Sequence, residues 1–390
     1  MIRDPNAIFI YIITLIGIIH YLRSLRALKK VFKYAPPIIW IYFLPMLSSG
    51  IGIIPTDSSL YSWTSKYLLP PALILLLLSS NVKILSTLGS KAIGTMLFGT
   101  LGIVLGGPIS LLIFGSFLPE DAWMGLAALS GSWIGGSANM VAIGKSIGTS
   151  DNLFGNMIVI DTVVGYGWMG IVILISGHQK RIDKWNNADT RIIDELNIKM
   201  NTEDLKRPTS FNDLLTIVVV SLFFGLFSLE LGKLIPDLGK VITSFGWTII
   251  LVSLIGISLS FTRLSELNNA GASHVGNLFL YILLGTIGAK ANITQIADLP
   301  YYIAVGVIWI FIHAIILFFG GRLLKAPMFL IATSSQANIG GVVSAPIIAT
   351  VYKKSLAPVG LLMGVIGNII GIYAGLFTAW LLSLVGGVYY

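Results

Sequence analysis

Two glycine-rich stretches, Ser130-Gly-Ser-Trp-Ile-Gly-Gly-Ser-Ala-Asn139 and Thr333-Ser-Ser-Gln-Ala-Asn-Ile-Gly-Gly341, interrupt segments that are otherwise apolar enough for membrane helices. Each stretch is also rich in hydroxyl and amide side chains. In hydrocarbon every backbone N–H and C=O group must be satisfied internally, so broken backbone is tolerated only where it is buried in protein or lines a water-filled cavity. Breaks at corresponding positions in two halves of a chain point to the binding site of a transporter. The two stretches therefore predict a transport protein.

The composition indicates the same class of protein. Of 390 residues 55% are hydrophobic and only 11% are charged, which is typical of an all-α polytopic membrane protein. The net charge of +8 does not indicate nucleic-acid binding, because the basic residues fall in short loops between apolar runs, where they set orientation. The first residues lack the basic region and cleavage site of a removable signal peptide, so the first apolar run is expected to remain as a span.

Apolar runs of about 20 residues, the length that crosses a bilayer, predict twelve segments in the chain. In the first half they are 7–22, 36–54, 67–81, 92–117, 122–148 and 152–176. In the second half they are 211–232, 242–261, 272–289, 299–320, 326–350 and 357–384. The two glycine-rich stretches lie in 122–148 and 326–350.

The basic residues decide between crossing and re-entrant segments at 122–148 and 326–350. If both segments are re-entrant hairpins, 19 basic residues lie in the cytoplasm and 6 lie outside, whereas two full crossings would scatter them. The six outside are Arg3, Lys66, Lys145, Lys233, Lys240 and Lys290. This topology places the N-terminus outside and makes 177–210 a solvated cytoplasmic linker, with a short amphipathic helix around 188–200. The alternative is twelve ordinary spans in which the glycines allow close helix packing.

An internal repeat relates the two halves. A shift of 207 positions superposes three pairs of rarer residues, and a shift of 205 superposes the two Ile-Gly-Gly triplets. The three pairs are Trp40 with Trp247, Lys83 with Lys290, and Tyr166 with Tyr373. About five crossings per half is an odd number, so the second half must enter the membrane in the opposite sense. We therefore expect inverted repeats at 1–176 and 211–390, each containing one hairpin or broken helix.

Asp161 is the main candidate for chemistry, because it lies midway along the apolar segment 152–176. A carboxylate at this depth costs several kcal/mol unless it faces a cavity, a partner or a cation. No lysine or arginine is near it in sequence, so its charge requires a cation or a bound proton. The repeat places Asn368 at the equivalent position of the second half. The alternative is a neutral carboxylic acid held by structural hydrogen bonds.

The hairpin tips are expected to complete the site, because broken helices leave unpaired N–H groups at one end and C=O groups at the other. The N–H ends suit an anionic substrate, and the C=O ends suit a cation such as Na⁺. The candidate residues of the tips are Ser132, Ser137, Asn139, Gln336 and Asn338, with Gly135, Gly136, Gly340 and Gly341 as their backbone. His313, midway along 299–320, is either a proton relay or a hydrogen-bonded structural residue.

Three motifs resemble the YjcL-like family of uncharacterised bacterial membrane proteins. They are Gly131-Ser-Trp-Ile-Gly-Gly-Ser-Ala-Asn-Met140, the Asp161-Thr162 pair and Gln336-Ala-Asn-Ile-Gly-Gly341. More broadly, the chain resembles the cation:proton antiporter and anion transporter superfamily, which includes glutamate:sodium and 2-hydroxycarboxylate symporters. The resemblance implies a scaffold domain, a mobile transport domain of the elevator type, a homodimer and the bacterial inner membrane. It also implies Na⁺ or protons at Asp161, Asn139, Asn338 and Asn368. The chain departs from proton antiporters in lacking a paired-aspartate motif.

These observations favour an ion-coupled secondary transporter that carries a small anionic or zwitterionic organic solute with Na⁺ or H⁺. A cation:proton antiporter without an organic substrate is one alternative, and a non-transport membrane scaffold or enzyme is another. The chain has none of the sequence motifs of zinc hydrolases, serine hydrolases or P-loop enzymes, so we expect no enzymatic activity and no cofactor other than the coupling ion.

Overall fold

The first half of the chain is helical in a computed structural model that describes residues 1–80, 85–199, 207–239, 241–291 and 299–389. Its helices are α1 (Pro5–Ser24), α2 (Lys29–Tyr34), α3 (Pro37–Gly50), α4 (Ser59–Tyr67), α5 (Leu69–Leu78), α6 (Gly89–Phe114), α7 (Ala122–Gly135), α8 (Ser137–Ser146) and α9 (Asp151–Ser176). Lys83, Lys206 and Lys240, which entered the charge distribution or the repeat, lie outside the described residues.

Two short helices, α10 (Gln179–Trp185) and α11 (Arg191–Lys199), connect the halves. The second half continues with α12 (Phe211–Lys233), α13 (Ser244–Ser260), α14 (Ala272–Lys290), α15 (Leu299–Leu323), α16 (Met328–Ile339), α17 (Gly341–Tyr352) and α18 (Ala357–Tyr389). Several helices begin at a side chain that accepts a hydrogen bond from the first turn, as Ser150 does for α9 and Thr243 does for α13. The helices therefore begin where local chemistry satisfies their free N–H groups.

The described helices are numerous and apolar enough for a multi-pass membrane protein. Seven of them could each cross a bilayer by length and composition, and the number reaches nine if each of two bent helix pairs is one span. The described residues form no β-strand, apart from a single bridge between Leu238 and Ile242. The expectation of an all-α polytopic membrane protein is confirmed, whereas the count of about five crossings per half stays a prediction.

Helix α7 folds back on α8, and α16 folds back on α17, so each glycine-rich stretch is the tip of a helical hairpin. In the first hairpin, Gly131 packs against Asn139, and the Thr149 hydroxyl donates to the Met124 carbonyl oxygen at 3.1 Å. The pair that lies further from Gly136 is also further apart in the sequence, as antiparallel packing of α7 and α8 requires. In the second hairpin, the rings of Phe329 and Tyr352, which lie at the two open ends, are 5.6 Å apart. We refer to α7–α8 as hairpin 1 and to α16–α17 as hairpin 2.

The contacts between helices separate them into two groups. Helices α6–α9 and α15–α18, which include both hairpins, pack mainly with one another, and we refer to them as the hairpin group. Helices α1, α3–α5 and α12–α14 pack mainly among themselves and form the flanking group. Fewer contacts join the groups, chiefly between α8 or α18 and α13, and between α9 and α14 or α3.

Helix α18 is the central element of the hairpin group. The first part of this 33-residue helix packs against α17, with Gly364 next to Val342. The later part packs against α7, where Gly386 lies next to Trp123. Between these parts, Gly367 and the residues around it approach the backbone of hairpin 1 closely, because glycine leaves room for it. One helix therefore holds both hairpins.

The connection between the halves is not simply a solvated linker, because it docks against hairpin 2. The Asp183 carboxylate accepts a hydrogen bond of 2.6 Å from the Met328 N–H group, the first of α16. The Asn186 amide donates to the carbonyl oxygens of Gly321 and Ala326 at 3.2 and 2.5 Å. On α11, Leu196 is 2% exposed and packs into the cluster around hairpin 2. The amphipathic helix expected around 188–200 thus corresponds to α11, in which Leu196 is buried.

Charged groups strengthen this docking at its exposed edge. The Lys91 ammonium at the start of α6 lies 3.0 Å from the Asp189 carboxylate, which also receives the Arg191 guanidinium at 3.0 Å. The hydrogen bond from Arg191, followed by that from Lys91, holds the pKa of Asp189 well below its usual range. The segment after α10 is therefore tied to α6 as well as to hairpin 2.

Candidate functional site

The two hairpin tips meet at the centre of the hairpin group. Gly136 separates α7 from α8 with φ of 84°, and Gly341 begins α17 with φ of 58°, values that glycine adopts without strain. A Cβ atom placed at Gly341 would lie 3.8 Å from the Gly136 Cα atom, so the two backbones are in contact. The matched breaks in the sequence are therefore neighbours in space.

Four helix ends converge at this contact. Helices α7 and α16 end here with free carbonyl groups, and α8 and α17 begin here with free N–H groups. The C-terminal ends carry partial negative charge and the N-terminal ends carry partial positive charge. The tip residues 136–138 and Gly340 are partly exposed, although α7 and α16, which end there, are almost fully buried. The centre can therefore offer both signs of partial charge to a bound solute or ion.

Asp161 lies beside the end of α7. The Ser132 hydroxyl donates a hydrogen bond of 2.9 Å to the Asp161 carboxylate, which joins hairpin 1 to α9. The side chain of Asp161 is partly exposed, and no lysine or arginine of the described residues forms an ion pair with it. An unpaired carboxylate in this position fits a bound cation or a bound proton.

Asn139 and Asn368 are brought together beside the tip of hairpin 1. The Asn139 amide donates to the Asn368 carbonyl oxygen at 3.2 Å, between hairpin 1 and α18. A Cβ atom placed at Gly136 would lie 3.8 Å from the Asn368 Oδ1 atom. The Asn368 side chain is partly exposed, so its amide oxygen faces the tip rather than a packed core. Asn139 and Asn368 therefore both lie beside Gly136.

The Asn338 amide is engaged with α6 rather than with Asp161. Its Oδ1 atom accepts a hydrogen bond of 2.9 Å from the Thr100 hydroxyl, and its Nδ2 atom donates to the carbonyl oxygens of Ser334 and Met96 at 3.0 and 3.3 Å. The residue is fully buried. This geometry gives Asn338 the role of fastening hairpin 2 to α6.

The remaining candidates differ in how they are placed. The Thr162 hydroxyl donates to the Ile158 carbonyl oxygen of its own helix at 2.8 Å. Gln336 is 1% exposed, and its Nε2 atom has no hydrogen-bond partner among the described residues. A Cβ atom placed at Gly340 would lie 3.2 Å from the Gln336 Oε1 atom, so that amide lies behind the second tip. Ser137 is partly exposed at the first tip. Ser137 and Gln336 therefore lie at the tips, whereas the Thr162 hydroxyl donates its hydrogen within its own helix.

A chain of hydrogen bonds surrounds His313 and suits a neutral imidazole. Its Nδ1 atom lies 2.9 Å from the Gly99 carbonyl oxygen, which can only accept, so Nδ1 carries a hydrogen. Its Nε2 atom lies 3.0 Å from the Ser335 hydroxyl, which accepts a hydrogen bond of 2.8 Å from the Trp168 indole. The Ser335 hydrogen is then available for Nε2. A neutral imidazole satisfies every group, which favours a structural role over a proton relay.

Trp168 and Thr100 are parts of this polar network that sequence patterns did not reveal. Each faces hairpin 2 from a different helix, α9 and α6 respectively. A tryptophan or a threonine in a membrane helix carries no signal of its partner, because both residues are common there. Only the packing of α6, α9 and α16 identifies them.

Comparison with known proteins matches this sequence to a membrane family. The model of the family described as "Protein of unknown function (DUF819)" matches residues 11–385. The chain is also 25% identical over 360 residues to the "Uncharacterized membrane protein YjcL" of Bacillus subtilis (strain 168), a match that covers 85% of this chain and 86% of that protein. The resemblance to a YjcL-like membrane family is confirmed. With nearly its whole length matched, the chain belongs to the DUF819 family of membrane proteins.

Proposed function

We propose that this protein is a secondary transporter in which Na⁺ or H⁺ drives the movement of a small anionic or zwitterionic organic solute. The observation that carries the proposal is the meeting of both hairpin tips beside the unpaired carboxylate of Asp161. Broken helices at the centre of a membrane bundle, with ends of both polarities, form the type of site that secondary transporters use for ions and substrates. The solute and the coupling ion act there without a cofactor.

An inverted repeat is part of the proposal, and the crossing of α6 and α15 supports it. Gly102 lies against the backbone of His313, and Gly106 lies against Trp309. A shift of 207 positions carries Gly102 to position 309 and Gly106 to position 313. The repeat therefore converts the contact between Gly102 and His313 into the contact between Trp309 and Gly106. Contacts that exchange in this way are expected around the twofold axis that relates inverted repeats.

Re-entrant hairpins and alternating access are supported by the packing. Because α7 and α8 are antiparallel, Ser150 at the far end of hairpin 1 returns to the side from which α7 started. The separation into a hairpin group and a flanking group fits a mobile transport domain and a scaffold domain. In this proposal the hairpin group moves as an elevator within a homodimer in the bacterial inner membrane, with the N-terminus outside.

Ion-dependent stabilisation tests the proposed site directly. A ligand that binds only the folded state at a concentration about 100 times its dissociation constant stabilises it by about 2.7 kcal/mol. We expect Na⁺, or a fall in pH if H⁺ couples, to raise the Tm of the purified protein. The variant Asp161→Asn should lose this response, whereas Asp57→Asn, which changes an exposed carboxylate far from the tips, should keep it. An unchanged response in Asp161→Asn would remove Asp161 from the coupling site.

Flux in proteoliposomes decides between the alternatives. Uptake of a solute that requires a Na⁺ or H⁺ gradient supports the proposal, with Ser132→Ala expected to weaken it because the Asp161 carboxylate loses its donor. Proton release on addition of a cation alone favours a cation:proton antiporter, which the lack of an arginine partner at Asp161 also suits. If neither flux is seen with stable protein and a broad solute library, a non-transport membrane role is favoured.

Topology can be tested in the same protein because the chain has no native cysteine. Ser150 and Asn187 are both exposed in the structure, so a cysteine at either position is open to a membrane-impermeant thiol reagent. With re-entrant hairpins, Ser150→Cys reacts from outside and Asn187→Cys reacts from inside. Twelve ordinary spans require the reverse result.

A further inference from the structure

The first residue of α9 bridges the two helix groups at one end of the molecule. One carboxylate oxygen of Asp151 lies 2.7 Å from the Lys145 ammonium at the end of hairpin 1. The other oxygen lies 2.8 Å from the Lys290 ammonium at the end of α14. Lys145 and Asp151 belong to the hairpin group, whereas Lys290 belongs to the flanking group. Among the described residues, Lys290 and Asp151 form the only ion pair that joins the groups.

Further hydrogen bonds cross between the groups at the same end. The Tyr42 hydroxyl of α3 donates to the Asp151 carbonyl oxygen at 2.7 Å. The Thr243 hydroxyl at the start of α13 donates to the Ser146 carbonyl oxygen at 2.9 Å. Three helices of the flanking group therefore hold the end of hairpin 1 and the start of α9.

The two ion pairs of Asp151 differ in how easily they can separate. The side chains of Lys145 and Asp151 are 16% and 14% exposed, whereas that of Lys290 is 39% exposed. If Lys290 moves away, Asp151 still has Lys145 within its own group, so no buried carboxylate is left uncompensated. Lys290 is already half in solvent and needs little further hydration. Separating Lys145 from Asp151 therefore costs more free energy than separating Lys290 from Asp151.

We propose that the Asp151–Lys290 ion pair is a latch that holds the hairpin group against the flanking group in this conformation and opens when the hairpin group moves. The latch rests on the proposed alternating access, and it names the contact that the movement must break. It acts between the two groups and requires no contact with solute or coupling ion.

Disulfide formation between the two groups tests the latch without a substrate. A Cβ atom placed at Gly246 of α13 would lie 2.8 Å from the Ser146 Oγ atom, a spacing that suits a disulfide between cysteines at these positions. In the pair Ser146→Cys and Gly246→Cys, we expect rapid oxidation while the latch is closed. Adding Lys290→Gln should lower the ratio of closed to open molecules about tenfold, which corresponds to about 1.4 kcal/mol, and should slow this oxidation as the closed population falls. Lys290→Arg should restore the rate, since it keeps the charge.

Lys233→Gln serves as the matched control, because Lys233 pairs with Glu230 within α12 and crosses no group boundary. All variants are compared as monodisperse protein of equal Tm, so that a loss of folding is not mistaken for an open latch. If Lys290→Gln oxidises as fast as the parent pair and the Lys233→Gln control, the latch is refuted. Solute uptake is measured separately, so the latch and the transport function can each fail without the other.

Discussion

Replacement of Asp183 by alanine should loosen the segment between the halves from hairpin 2. The Asp183 carboxylate accepts the Met328 N–H group at 2.6 Å and is 9% exposed. Met328 is the first residue of α16, and the residue before it is Pro327, which has no side-chain acceptor. Asp183 thus caps α16 from another part of the chain. Its loss leaves a buried N–H group without an acceptor.

The size of the effect follows from two contributions. Loss of an N-cap acceptor typically costs about 0.5–2 kcal/mol. Loss of a negative charge at a helix N-terminus adds about 0.3–1 kcal/mol. We therefore expect Asp183→Ala to lower the free energy of unfolding by about 1–3 kcal/mol. Asp183→Asn keeps an acceptor oxygen without the charge, so it should lie between alanine and the parent protein.

Denaturation of the purified protein in detergent measures this effect. Glu195→Gln is the matched control, because Glu195 is exposed on α11 and its replacement should change the free energy by less than about 0.5 kcal/mol. Limited proteolysis between α10 and α11 should also accelerate in Asp183→Ala. Equal stability and equal cleavage rates in Asp183→Ala and Glu195→Gln would refute the cap.

Other expected outcomes concern the network, the helix crossing and the linker edge. His313→Phe should destabilise the protein by about 2–3 kcal/mol in thermal denaturation, because it strands buried polar partners, yet leave the pH profile of transport unchanged; an altered profile would restore the proton relay. Gly102→Ala should cost about 1–3 kcal/mol, since a Cβ atom there would lie 2.8 Å from the backbone of α15, whereas Gly17→Ala, with open space around it, should not destabilise. Because the pKa of Asp189 is lowered in the folded state, its stabilising effect is present above the ordinary value of 3.8 and lost as pH falls through the folded pKa. Protection of the α10 amides against hydrogen exchange, relative to the intrinsic exchange rate at each pH, should therefore fall at low pH in the parent, whereas Asp189→Asn should show no such pH dependence.

Apolar runs and glycine breaks were sufficient to predict most helices. The segment 152–176 corresponds to Asp151–Ser176, and 299–320 to Leu299–Leu323. The hairpin expected at 122–148 corresponds to two helices that end at Ser146. These elements could be predicted because burial in lipid imposes length and composition on each span separately.

Partnerships across helices could not be predicted in the same way. Asn338 and Asn139 lie in similar glycine-rich stretches. The Asn338 amide nevertheless hydrogen-bonds to Thr100 of α6, whereas the Asn139 amide hydrogen-bonds to Asn368 of α18. The choice depends on which helix packs against each face, which no local pattern specifies. The docking of Asp183 was missed for a related reason, since a carboxylate in a polar segment is usually solvated.

The length of α18 has a consequence for the surrounding lipid. A helix of 33 residues is about 50 Å long, whereas the hydrocarbon core is about 30 Å thick. Asn368 lies about 17 Å from the start of the helix, close to half of that thickness, so the proposed midplane site places the excess length on the C-terminal side. This excess must be accommodated by tilt or by a locally thicker bilayer. The acyl-chain length of the lipids should therefore influence how easily the hairpin group moves, even though the lipids do not touch the hairpin tips.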